Sequence, residues 1–133
     1  MVVTLVTAAL AAVLHVYIFV MESVLWTTPR VRATFGITSD QQARQTKQLA
    51  FNQGFYNLFL AVIVAVGCVV VVTGAGDPVR IAVGVALIVA GTGSMLAAAL
   101  VLVLSDRRKV RAAAAQGILP LTTLIALAVG AVG

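Results

Sequence analysis

The sequence predicts an all-α integral membrane protein: a four-transmembrane-helix bundle with both termini outside and basic loops 1 and 3 cytoplasmic. Three observations carry that expectation. Of 133 residues, 62% are hydrophobic and 10% charged, with mean hydropathy +1.12, and so small a body cannot enclose that much apolar surface away from water. The apolar residues fall into four runs of roughly 20 residues or more, the length that carries a helix across a bilayer, while the roughly 10-residue alternating pieces of a membrane barrel are absent. Lys and Arg are distributed four, one and four over the three connections, and the positive-inside rule then places the first and third in the cytoplasm.

The first span is expected over about residues 2–26. It lacks the basic stretch of a signal peptide and is too long for one, so it is expected to be retained. Thr27-Thr28-Pro29-Arg30 is expected to stop it, because proline lacks an amide N–H and biases its predecessor away from helix. The connection to Gln48 carries Arg30, Arg32, Arg44 and Lys47. Within it Thr38-Ser39 precedes Asp40, a start signal for a short helix over residues 40–48 that can run straight into the second span, about 49–73. Gly74-Ala75-Gly76-Asp77-Pro78 reads as a turn.

The third span, about 79–104, contains Gly84, Gly91, Gly93 and Ser94. Small residues let helices approach closely, and this face is the expected interface for a homodimer or higher homo-oligomer. The fourth span, about 112–132, follows Ser105–Arg111 and holds Gln116, Gly117 and Pro120 near its start, where a kink is expected. The chain reads as a single domain, 1–133. Its net charge of +5 sits in short loops rather than on an extended polar face with aromatics, so nucleic acid is not an expected partner. Cys68 stands alone and can form no intramolecular disulfide or thiolate cluster.

The informative residues are the polar ones inside the spans, because hydrocarbon offers them no water. His15 and Glu22 are seven positions apart, on one face and roughly 10 Å apart in rise. Trp26, at i+4 from Glu22, extends the stripe. On the second span Asn52 with Tyr56 and Gln53 with Asn57 are i, i+4 pairs that form one polar face. Antiparallel packing through the first loop sets Asn52 or Tyr56 opposite Glu22 and places His15 level with Asn57 to Leu60. Gln116 can close the cluster and Arg30 lies at its border. An intramembrane acid is costly, roughly 2.5–3.5 kcal/mol at a helix centre, and is by default a functional group. Ordinary alternatives stand beside these readings: Glu22 pairing with Arg30, His15 as a packed histidine, the Asn52 to Asn57 group as interhelical glue, and Trp26 as an interfacial anchor. With no second histidine, neither a metal nor a haem site is expected, and no cofactor is called for.

The spaced set His15-Val16-Tyr17-Ile18-Phe19, Glu22, Leu25-Trp26, Pro29-Arg30, Phe35-Gly36, Ala50, Asn52-Gln53-Gly54-Phe55-Tyr56-Asn57, Gln116-Gly117 and Pro120 resembles a family of small bacterial integral membrane proteins known as domain of unknown function 1304. The resemblance covers nearly the whole chain. It implies four membrane helices, a bacterial cytoplasmic (inner) membrane location and these polar positions as the family's signature; it supplies no activity. Leu58 departs from the glycine frequent there, which puts pocket width or helix packing in question.

Three functions stay open. In the first, a cytoplasm-side intramembrane pocket binds a small amphipathic or lipid-like molecule. Acid/base chemistry of isomerase or hydratase type would use Glu22 as proton donor or base and His15 as its complement, with Trp26, Arg30, Asn52, Gln53, Tyr56, Asn57 and Gln116 binding the ligand. The second is a proton-coupled small-molecule transporter acting as a dimer. Against it, the polar residues cluster in one half of the membrane. The third is a scaffold or accessory subunit in which the polar face serves packing alone.

Overall fold

A computed structural model describes residues 1–132, and it holds five α-helices and no strand among those residues. The first helix, α1 (Val2–Phe19), continues as a π-helical turn over Val20–Val24; α2 (Pro29–Phe35) follows in the first connection, then α3 (Asp40–Thr73), α4 (Pro78–Ser105) and α5 (Val110–Val132). Four of the helices are long and apolar enough to cross a membrane, which suggests a membrane protein.

Local chemistry explains the boundaries. The Ser39 hydroxyl accepts the Gln42 amide N–H at 3.1 Å and so caps α3 at the expected place. From there α3 runs unbroken through the expected second span. Asp77 caps α4 by accepting from the amides of Val79 and Arg80, and Pro78 occupies the first turn, where its missing N–H costs nothing. A short 3₁₀ turn, Arg107–Lys109, links α4 to α5. There the Arg108 guanidinium beside Asp106 holds that carboxyl below the usual carboxylate range.

The first connection departs from expectation. The first helical segment ends at Val24 rather than near Trp26, and Pro29 does not stop it; Pro29 instead opens α2. The reason is again the position of proline, which is harmless at a first helical position, whereas the preceding turn closes through Leu25 and Thr28 before proline is reached. Gly36 ends α2 with a left-handed φ of 70°, a conformation open to glycine at little cost.

α1 packs on α3 and α5, and α4 packs on the same two helices, so the long helices close a ring in the order α1–α3–α4–α5. Its core is built from small and medium side chains: Ala8, Ala11, Ala12, Ala61, Val64, Val71, Ile88 and Met95. For helices that lie in lipid, apolar burial drives little association and close backbone approach matters more. At the α3–α4 seam a Cβ on Gly67 would lie 2.8 Å from the Gly84 carbonyl oxygen, and one on Gly84 equally close to that of Gly67. Gly91 likewise faces Val64. These glycines serve contacts within the chain, and of the glycines of α4 it is Gly93 that faces open space.

Candidate functional site

The site is assembled where α1 ends against α3. The π-helical turn Val20–Val24 holds Glu22 and Ser23, and its backbone closes with the Leu25 N–H donating to the Val20 carbonyl at 3.0 Å. Such single turns re-aim side chains and recur at functional sites. Opposite it lies Gly54, where an added Cβ would overlap the Ser23 hydroxyl and stand 3.1 Å from the Phe19 carbonyl oxygen. The two backbones therefore meet where only glycine fits. Ser23 Oγ donates to the Phe51 carbonyl at 2.9 Å, a link from α1 to the α3 backbone.

This close approach brings Glu22 to Asn57. Asn57 Nδ2 donates to Glu22 Oε2 at 2.9 Å and to the Gln53 carbonyl, one turn earlier, at 3.1 Å. Both amide hydrogens are thereby committed. Among the described residues, Glu22 Oε1 and Asn57 Oδ1 have no partner, and neither is sealed away: the buried side-chain polar atom without a partner is Arg32 Nε. The pair therefore presents two oxygens with hydrogen-bonding capacity to spare. Phe19 and Phe55, edge to face with centroids 5.1 Å apart, flank the same seam.

The partner of Glu22 differs from the expected one. Asn57, rather than Asn52 or Tyr56, reaches the carboxylate, because Asn57 turns towards the ring while Asn52, Gln53 and Tyr56 are exposed, Tyr56 to 64%. Among the described residues the side chains of those three make no hydrogen bond to the pair; Gln53 meets Asn57 through its backbone carbonyl alone. Glu22 is also shallower than expected, two residues from Val24, because the helix ends early.

His15 is 1% exposed. Its Nδ1 lies 2.9 Å from the Ala11 carbonyl oxygen; a carbonyl only accepts, so Nδ1 carries a proton and donates it there. Gln116, half-buried on α5, sits nearer the level of His15 than of Glu22: Thr123 Oγ1 donates to Thr7 Oγ1 at 2.9 Å, and seven residues back along α5 match seven forward along antiparallel α1, to Leu14 beside His15.

Trp26 is not on the Glu22 stripe, since the helix has ended before it. Its indole Nε1 donates to the Ala43 carbonyl at 3.1 Å and to Thr46 Oγ1 at 3.2 Å, and its ring packs on Phe35 with centroids 5.0 Å apart. It fastens the end of α1 to α2 and to the start of α3. Arg30 is exposed and apart from the pair; the ion pair of this connection joins Arg32 to Asp40. Among the described residues no three His, Cys, Asp or Glu side chains gather as a metal site would need.

Ser23 and Gly54 were not read as site residues from sequence. A glycine amid polar residues inside a helix, where it disfavours the helix by about 0.5–1 kcal/mol relative to alanine, was the available sign of a close approach.

Long apolar helices joined at one end by a half-buried carboxylate and amide define a class: an all-helical protein with four helices long and apolar enough to cross a membrane and a polar pair set into one helix seam. The chain belongs to the family described as "Protein of unknown function (DUF1304)", whose model matches residues 9–128. No curated protein and no solved structure matches it.

Proposed function

We propose that the chain is a multi-pass protein of the bacterial cytoplasmic membrane that binds a small amphipathic molecule at the Glu22–Asn57 pair, on the side of the basic connections. The observation that carries this reading is the 2.9 Å bond from Asn57 Nδ2 to Glu22 Oε2 between α1 and α3, with one oxygen on each partner unused and open. Pure packing glue tends to satisfy its own groups, whereas a ligand site keeps capacity in reserve. Acid/base work would fall to Glu22, with His15 one step deeper. The eight-to-one placement of Lys and Arg supports a cytoplasmic position for this end.

The test is Glu22→Gln. Wild-type protein purified in mild detergent should retain a small amphipathic species detectable by mass spectrometry, and the variant, unfolding at an unchanged temperature, should lose it. Equal retention by both would sink the reading; a variant that merely unfolds early supports a scaffold.

A second reading, proton-coupled transport, gains from one observation. Thr4 and Thr123 are almost wholly buried polar residues on α1 and α5, beyond His15 from Glu22, so polar groups are not confined to one half. Flux of a candidate compound into proteoliposomes separates transport from binding or conversion in place.

A further inference from the structure

The net charge of the chain is gathered at one end of the ring. Of nine Lys and Arg residues, four lie in the first connection and the start of α3 (Arg30, Arg32, Arg44 and Lys47), and four between α4 and the start of α5 (Arg107, Arg108, Lys109 and Arg111). The other end, at the α3–α4 turn, holds Asp77 and Arg80, whose charges cancel.

At the basic end the acids are already taken. Asp40 pairs with Arg32, and Asp106 with Arg108, whose Nε lies 3.0 Å from Oδ1. Glu22, the remaining acid there, is held by Asn57 rather than by a cation. Arg30, Arg44, Lys47, Arg107, Lys109 and Arg111 are exposed, and among the described residues none of them has an ion-pair partner. Like charges held together repel, so such a surface is stabilised by anions from outside the chain.

Helix lengths set the depth of those cations. From Thr73 back to Lys47 on α3, and from Val79 to Ser105 on α4, the rise is about 39 Å. That exceeds the roughly 30 Å hydrocarbon layer and approaches the roughly 40–45 Å of a bilayer with its head groups. Lys47 and residues 107–111 therefore fall at the level of the lipid phosphates. The first connection joins α1 to α3 and the last joins α4 to α5, so in a ring ordered α1–α3–α4–α5 they cover opposite edges of the same end. The cations form a rim that meets head groups on two sides.

Resting on the reading of the chain as a multi-pass membrane protein, we infer that this basic end is a docking surface for anionic phospholipid, whose phosphodiester head groups pair with the six unpaired cations. A zwitterionic head group carries its own cation beside the phosphate and gains less from the rim.

Spin-labelled lipids test the assignment. The full chain is reconstituted in phosphatidylcholine vesicles, symmetric in their two leaflets so that the direction of insertion does not matter. A trace of phosphatidylglycerol or phosphatidylcholine, labelled near the end of one acyl chain, is added, and the motionally restricted part of its electron paramagnetic resonance spectrum measures the lipid held at the protein. The phosphatidylglycerol label should associate about fivefold more strongly, the worth of one cation at a charged surface. About 1 M salt, which cuts the screening length to about 3 Å, should bring the two labels together. The triple variants Arg30→Gln/Arg44→Gln/Lys47→Gln and Arg107→Gln/Lys109→Gln/Arg111→Gln should each lower the preference, and Arg80→Gln at the opposite end should leave it unchanged. Equal association of the two labels with the wild type, a preference that salt leaves in place, or one that both triple variants keep overturns the docking surface, while a restricted phosphatidylcholine label leaves the membrane reading standing. A fall as large in Arg80→Gln overturns the confinement to the basic end. No restricted lipid of either kind overturns the membrane reading itself.

Discussion

Gly54 shows most plainly what a single residue contributes to the seam. Its missing side chain lets Ser23 reach the Phe51 carbonyl and brings α1 near enough for Asn57 to hold Glu22. Gly54→Ala should therefore destabilise the protein by about 1–3 kcal/mol, the usual cost of overpacking, read as a lower unfolding temperature in detergent. Because the first atom met is the Ser23 hydroxyl, Ser23→Ala in the same chain should recover part of the loss; no recovery would place the strain on the Phe19 carbonyl instead. The sequence made Glu22 legible through the cost of an acid in hydrocarbon, and Asn57 through its spacing from Gln53. It could not say which polar residue of α3 meets Glu22, because facing depends on helix rotation, and a π-helical turn changes that rotation without a mark in composition. Asn52 and Tyr56 carry the same polar chemistry as Asn57 yet point outward.

Among the elements, α3 was the most readable and the first connection the least. Thr38-Ser39-Asp40 announced the α3 start, and nothing in the next 34 residues interrupts it. In the connection a proline read as a stop proved to be a start, because the same missing N–H that breaks a helix interior is neutral at its first position. Trp26 was read as an aromatic anchor or ligand platform; its geometry makes it a fastener, donating to α3 and stacking on α2. Trp26→Phe would keep the ring and remove the N–H. It should cost about 0.5–1.5 kcal/mol and raise the amide hydrogen-exchange rates of α2 and the first turns of α3 more than those of α4. Uniform acceleration across all helices would count against a local fastening role.

For the whole molecule, four helices and their order were legible because hydropathy and span length are properties of composition, whereas the ring closure through α1 and α5 rests on contacts such as Thr7 with Thr123 that lie 116 positions apart in sequence. The glycines of the third span were expected at an interface between copies, yet Gly84 and Gly91 are occupied by α3; sequence shows that a face is small, and not which neighbour it meets. The proposed orientation has a direct check. In a Cys68→Ser background, cysteines placed at Gly36 and Gly76, both turn residues exposed in the fold, should react with a membrane-impermeant maleimide differently in intact cells: Gly76→Cys labelled, Gly36→Cys labelled only after permeabilisation. The reverse pattern would invert the topology and move the Glu22 end outside.

The length of α3 has a mechanical consequence. At 34 residues it extends about 51 Å, well beyond the roughly 30 Å hydrocarbon layer, without a proline to bend it. A rod of that length displaces its ends most when it tilts, and its basic end is tied to the segment after α1 by the Trp26 indole and to α2 by the Arg32–Asp40 pair, so those two links are the ones that resist a tilt of α3.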